Sequence, residues 1–146
     1  MVAVIVAAHG HLAEGLIASS AMIVGPQEDA VAATFDPSEG PDDLLAKYAA
    51  ATDASPSTEY LLLVDLFGGS PYNAAARFAA PREDADVVTG VNLPMLVEVL
   101  ARRMAGAELA ELVEVAKTAG ANGVKVLSEV FTPTTTSDDD VEGDEL

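Results

Sequence analysis

Three side chains capable of acid–base or nucleophilic chemistry stand where apolar segments end. The chain has only two histidines, His9 and His11, and both follow the apolar run VAVIVAA at residues 2–8. Asp65 ends a second such run, EYLLLVD. A carboxylate that accepts a hydrogen bond from one imidazole nitrogen leaves a lone pair on the other nitrogen, which can then act as a nucleophile. We interpret His9 and Asp65 as such a pair, although each alone could be a capping or turn residue.

Glycines follow both strand ends and precede predicted helices. Gly10 separates the two histidines, and Gly68, Gly69 and Ser70 follow Asp65. Backbone N–H groups of such turns and of helix N-termini bind anions, phosphate above all. These four residues are therefore candidate phosphate-binding residues, and a histidine between them indicates a phosphohistidine. No metal or organic cofactor is required, since the chain has no cysteine and its two histidines would need several carboxylates to hold zinc.

The elements that must position these residues alternate between strand and helix. Strands are predicted at 2–8, 30–35, 59–65 and 85–90, with helices between them, and the short segment VKVL at 124–127 is predicted as an edge strand. This order predicts an α/β fold: a single doubly wound domain with a mostly parallel sheet and helices on both faces. If the strand order is 2-1-3-4, the ligand site lies where the winding reverses, between strands one and three. His9 and Asp65 then face each other.

Several finer placements follow from spacing. Ser70 is predicted as the N-cap of the third helix, with Pro71 at its first position. His11 is expected in the first turn of the first helix, at the rim of the site. Arg102 and Arg103 are expected at a solvated helix end. The side chains predicted to face the core from helices one and four are Leu12, Leu16, Ile17, Ser20, Ile23, Val24, Leu93, Leu96, Val97, Leu100 and Met104, and Met95 is also assigned to the core.

The net charge limits the kinds of partner that the chain can bind. Seven Lys and Arg oppose 24 Asp and Glu, which gives a net charge of −17 and argues against nucleic acid or anionic membranes as partners. The charge fits either adaptation to high salt or an ordinary acidic cytosolic protein. Residues 131–146 include six acids among the last nine and are predicted to be a disordered tail. The folded domain is predicted to span residues 1–130.

Three segments resemble a known family. The stretches AAHGHLAEG, LLLVDLFGGSPYNAAAR and GVNLPMLVE resemble the signatures of the IIA domain of the mannose-type sugar phosphotransferase system, in the same order and spacing. The resemblance implies that His9 carries the phosphoryl group, that Asp65 orients it and that Ser70 lies beside its oxygens. By the same resemblance, His11, Phe67, Asn92, Pro94 and Met95 form the site wall or contact partners. Leu66 and Phe67 stand where threonine and tryptophan can occur.

The resemblance also implies partners and a setting. The histidine phosphocarrier protein would donate the phosphoryl group, a IIB component would accept it, and a membrane permease would be served indirectly. The setting would be cytoplasmic, and a homodimer would form by exchange of the C-terminal strand at 124–127. Two alternatives stay open from the residues: a related IIA-fold regulator or carrier for a dihydroxyacetone kinase, and a non-catalytic small-anion binding module.

Overall fold

The computed structural model describes residues 1–131, so the predicted tail at 131–146 lies, except for its first residue, outside the described residues. Four strands and six helices alternate in this part of the chain. The strands are β1 Val2–His9, β2 Ala30–Phe35, β3 Glu59–Val64 and β4 Ala85–Thr89. The helices are α1 Leu12–Val24, α2 Pro41–Ala54, α3 Ser70–Ala79, α4 Leu93–Met104, α5 Leu109–Asn122 and α6 Leu127–Val130.

The sheet confirms the predicted topology. Its order is β2-β1-β3-β4, and each of the three neighbouring pairs is parallel. Alternate residues of β1 enter two cores. Val2, Val4 and Val6 pack with side chains from α1, α4 and α5. Ala3, Ile5 and Ala7 pack with side chains from α2 and α3 on the opposite face. Because both faces are covered, the central strands are continuous apolar runs, as parallel sheets require.

The predicted edge strand at 124–127 is not formed in the part of the chain that the structure describes. The segment at 124–126 has no regular structure, and Leu127–Val130 is a short helix, so the prediction of a strand over 124–127 was wrong for the single chain. Val124 and Leu127 leave 74% and 76% of their surface exposed, respectively. An alternating pattern forms a strand only where a sheet edge is within reach to supply hydrogen bonds. Exchange of this segment between two subunits stays a prediction.

Helix faces differ from the predicted spacing at several positions. Met104 is 65% exposed and Leu12 is 49% exposed, although both were predicted to face the core, and Ile23 is also exposed. Val99 is buried instead, together with Met95, Leu96 and Leu100. These three residues stand in the first or last turn of their helices, where correct spacing alone does not bury a side chain.

Arg103 is buried, which contradicts the prediction of a solvated helix end. The residue is 6% exposed, and its guanidinium donates hydrogen bonds to the carbonyl oxygens of Val2, Asp29 and Glu28. Burial lowers the pKa of Arg103, but an arginine starts so far above neutrality that it stays charged. One side chain thus joins the end of α4 to the start of β1 and to the segment that precedes β2.

Replacing Arg103 with methionine is expected to lower the free energy of unfolding by about 3 kcal/mol, because buried carbonyl oxygens lose their donors. Urea unfolding followed by circular dichroism measures the change. Arg102→Met is the matched control: Arg102 is 55% exposed and lies 3.8 Å from Glu111, so its loss should cost less than about 1 kcal/mol. Equal unfolding midpoints for the two variants would contradict the assigned role of Arg103.

Candidate active site

His9 and Asp65 meet at the carboxyl ends of the two central strands. His9 is the last residue of β1, and Asp65 directly follows β3, whose Val64 pairs with Ala7. The Asp65 Oδ2 atom lies 2.8 Å from His9 Nδ1 and also accepts a hydrogen bond from the His9 backbone N–H at 3.0 Å. One oxygen therefore fixes both the main chain and the ring of His9. The juxtaposition predicted from strand order is present.

The electrostatics of this pair decide which ring nitrogen is free. Burial alone would raise the pKa of Asp65, but the hydrogen bonds from the His9 backbone and ring outweigh it and hold that pKa below its usual value. An ionised carboxylate only accepts hydrogen bonds, so in the neutral imidazole Nδ1 carries the proton. The lone pair is then on Nε2, and the His9 side chain is 48% exposed. The ring can therefore act as a nucleophile through Nε2.

The Gly-Gly-Ser turn after Asp65 lies against the imidazole. Gly68 has φ of +86°, and its carbonyl accepts a hydrogen bond from Asn73 Nδ2 at 3.1 Å. The N-cap of α3 is Gly69 rather than Ser70, so Ser70 and Pro71 occupy the first two helical positions. Backbone N–H groups in the first turn of a helix have no intrahelical acceptor. The first turn of α3 thus offers the amides of Ser70 and Tyr72 to an anion.

Two of the four predicted phosphate-binding glycine and serine residues have their amides engaged elsewhere. The Gly10 N–H donates to the Phe35 carbonyl at 2.8 Å, and the Gly69 N–H donates to the Leu66 carbonyl at 3.1 Å. Gly10 has φ of +59°, a backbone conformation that favours glycine. A side chain at position 69 would place its Cβ 2.8 Å from His9 Cε1. Both glycines therefore act through shape rather than as free donors.

The rim of the site combines apolar and acidic side chains. Phe67 and Leu66 are 73% and 61% exposed, and Phe67 packs on Tyr72 with ring centroids 4.8 Å apart. His11 is 71% exposed, with Nδ1 3.3 Å from Glu14 and Nε2 3.6 Å from Asp36. Among the ion pairs of residues 1–131, none brings a lysine or arginine to Asp65. Stabilisation of negative charge beside His9 thus depends on backbone amides and on a partner.

Residues of the signature at 90–98 join two helices, α4 and α5. Asn92 Oδ1 caps α4 by accepting from the Met95 N–H at 2.9 Å, and Asn92 Nδ2 donates to the Gly120 carbonyl at 3.0 Å. Met95 is 3% exposed, and a Cβ at Gly123 would lie 2.6 Å from Pro94. The described contacts of Asn92, Pro94 and Met95 therefore join α4 to α5.

Sequence reasoning gave no role to three residues around the site. Phe35 lies beside the His9 ring, Asn73 holds the glycine turn, and Tyr48 is fully buried and donates to the Pro71 carbonyl at 2.9 Å. Burial and then the charge of Asp65 raise the pKa of Tyr48, which keeps its hydroxyl a donor. Asn73 stands inside the motif D-x-x-GGSP-x-N, which was a usable signal. Phe35 ends a weak strand, and no sequence spacing connects it to His9.

Comparison with known proteins was made by sequence and by fold. The family model described as "PTS system fructose IIA component" matches residues 3–117. The fructose-specific EIIA component of Bacillus subtilis is 40% identical over 147 residues, covering 100% of both chains. The mannose-specific EIIAB component of Escherichia coli K12 is 40% identical over 127 residues, which are 86% of this chain but 39% of that protein. The chain thus spans well under half the length of its mannose-specific relatives.

Solved structures agree with these similarities. The fold matches the EIIA component from Streptococcus agalactiae with a TM-score of 0.82 at 28% identity, covering 88% of this chain and 99% of that one. It matches the mannose/sorbose-specific IIA subunit from Enterococcus faecalis with a TM-score of 0.79 at 30% identity, covering 92% and 98%. The fold and the relatives point to the same family of proteins. The chain belongs to the mannose-type IIA family of the sugar phosphotransferase system.

Proposed function

We propose that the chain is a phosphohistidine carrier in which His9 accepts a phosphoryl group from the histidine phosphocarrier protein and passes it to a IIB component. The observation that carries this proposal is the 2.8 Å contact between His9 Nδ1 and Asp65, which leaves Nε2 as the free nitrogen of a half-exposed ring. The permease is then served indirectly, from the cytoplasm. Within residues 1–131, each helix is too short or too polar to cross a bilayer.

The transfer step is a displacement at phosphorus. The Nε2 lone pair of His9 forms a new N–P bond while the N–P bond of the donor breaks, and the electron pair of that bond returns to the donor imidazole. Charge on the phosphoryl oxygens is stabilised by positioned donors. In this chain those donors are the first-turn amides of α3 and the Ser70 hydroxyl, with Gly68 shaping the turn. In transfer to the IIB component, a nucleophile of that component forms the new bond to phosphorus while the N–P bond of His9 breaks, and the electron pair of that bond returns to Nε2.

The exposed side chains at the rim of the site indicate what kind of partner surface fits it. Phe67 and Leu66 offer exposed apolar surface beside His9, while Asp36 and Glu14 make the same rim acidic. A partner with an apolar centre and a basic periphery fits this surface, since opposite charges steer encounter. A second copy of the chain is expected to cover the exposed apolar residues at 124–131. The carrier is therefore proposed to act as a homodimer.

The function is tested by labelling the full chain. It is incubated with labelled phosphoenolpyruvate, the enzyme that phosphorylates the histidine phosphocarrier protein, and that protein. We expect an acid-labile, alkali-stable label in the peptide that contains His9, and its loss on addition of a IIB component. Label on another residue, or none, would overturn the proposal. Binding of inorganic phosphate without any label would instead identify a small-anion binding module.

Gly69→Ala is expected to slow labelling by about 10- to 100-fold, because the new Cβ would lie 2.8 Å from His9 Cε1 and must displace the ring or the turn. Rapid-quench kinetics with the phosphorylated donor measure the change. Gly15→Ala is the matched control, since no atom lies within 4 Å of a Cβ there and alanine favours the helix. Equal labelling rates for the two variants would show that contact at Gly69 does not position the ring.

A further inference from the structure

Phe35 lies against the imidazole of His9 at the end of the neighbouring strand. The two residues are register partners in the β1–β2 pair. Their ring centroids are 5.8 Å apart and their planes meet at 80°, an edge-to-face arrangement of the kind aromatic pairs prefer. Phe35 is the one aromatic residue for which a ring contact with His9 is described. Its position suggests a role beyond packing.

The backbone of Phe35 is fixed independently of its side chain. The Gly10 N–H donates to the Phe35 carbonyl at 2.8 Å, and the Phe35 N–H donates to the Gly10 carbonyl at 3.4 Å. These two bonds form an isolated antiparallel bridge just beyond the parallel part of the strands. A substitution at position 35 therefore removes the ring and leaves the bridge in place.

A single hydrogen bond does not fix an imidazole. With Nδ1 held 2.8 Å from Asp65 Oδ2, the ring can still tilt about that contact, and its side chain is half exposed. The turn at Gly69 lies close to the Cε1 edge, since a Cβ there would be only 2.8 Å from Cε1, and this limits movement of the ring in that direction. Phe35 supplies a second, aromatic wall. Together the three contacts define one direction for Nε2.

We propose that Phe35 is a positioning residue: its ring, edge-to-face with His9, holds the imidazole so that Nε2 points along the line of phosphoryl transfer. This inference rests on the proposed function of His9. Reacting atoms must be aligned closely for transfer, and small misplacements are costly. The residue acts through His9 and touches no phosphoryl group itself.

The inference is tested with Phe35→Leu and Phe35→Tyr in the full chain. Nuclear magnetic resonance reports the ring contact directly, because the Phe35 ring current shifts the carbon-bound protons of the His9 imidazole. We expect Phe35→Leu to lose that shift and to slow labelling about tenfold, and Phe35→Tyr to keep the shift and recover most of the rate. Urea unfolding of each variant separates loss of stability from loss of rate.

Phe78→Leu is the matched control. Phe78 packs against Tyr48, with ring centroids 6.2 Å apart, on the α2–α3 side of the sheet. Its loss should leave the His9 proton shifts and the labelling rate as in the parent. Unchanged shifts and rate in Phe35→Leu would overturn the inference. Absence of label in the parent would instead overturn the proposed function, while the resonance measurement still reports whether the ring contact exists.

Discussion

His9→Gln is expected to abolish phosphoryl uptake, with a labelling rate at least about 10⁴-fold below the parent. Glutamine keeps the backbone N–H that donates to Asp65 at 3.0 Å, so the strand ends stay joined while the nucleophile is lost. His11 cannot take its place. Its ring contacts Glu14 and Asp36 rather than Asp65, and it is 71% exposed.

The control for this result is His11→Gln. That substitution changes a rim contact and should alter the labelling rate by about twofold. Mass spectrometry of the labelled parent locates the modified residue independently of either variant. If His9→Gln were labelled as fast as the parent, the phosphoryl group would not be carried by His9, whatever the geometry around it.

Asp65→Asn is expected to lower the labelling rate by about 10²- to 10⁴-fold, the range set by the loss of the corresponding carboxylate in a histidine–aspartate pair. The amide can present either an acceptor or a donor to Nδ1, so the tautomer with Nε2 free is no longer imposed. The asparagine amide also lacks the negative charge with which the Asp65 carboxylate stabilises the imidazole of His9. Rapid-quench kinetics measure the change. Asp36→Asn is the control, since Asp36 contacts only the rim histidine in the described ion pairs, and its effect should stay near twofold.

Acid titration measures the contribution of Asp65 to stability separately from its contribution to the labelling rate. The pKa of Asp65 is lowered in the folded chain. The ionised carboxylate therefore stabilises the fold at pH values above 3.8, the ordinary pKa of an aspartate. That contribution is lost as the pH falls through the lowered folded value. The difference in urea midpoint between the parent and Asp65→Asn should therefore shrink below pH 3.8. A difference that stays constant across this range would show that the pKa of Asp65 is not coupled to folding.

The elements and the pairing of the two central strand ends were predictable. Continuous apolar runs at residues 2–8 and 59–65 require strands buried on both faces, and parallel strands of this order place His9 opposite Asp65. The order 2-1-3-4 is confirmed, as are the strand at 30–35 and the helices that cover both faces. Periodicity suffices for these features because each depends on burial of one segment against its neighbours.

Features that depend on a single tertiary contact were not predictable. Arg103 is buried because three carbonyl oxygens lie within hydrogen-bonding distance of its guanidinium. No local sequence pattern indicates these contacts. The amide of Gly10 is taken by Phe35, a residue 25 positions away in the chain. The segment at 124–127 depends on whether a sheet edge is available to it, so the alternation of its side chains did not decide its structure.

The position of β1 at the centre of the sheet affects how much reorganisation the proposed phosphoryl transfer through His9 requires. Each residue from Val2 to Ala8 is at most 3% exposed, and the residues from Val4 to Ala7 pair with both neighbouring strands. Backbone amides of such a strand are expected to exchange with solvent only through global unfolding. His9 is thus attached to the end of an almost fully buried strand. In the proposed transfer, a nucleophile held in this way needs little reorganisation and meets a donor and an acceptor in the same geometry. The direction of that transfer would then be set by the relative strengths of the bonds that phosphorus makes to the donor, to His9 and to the acceptor, and not by a change of conformation in the carrier.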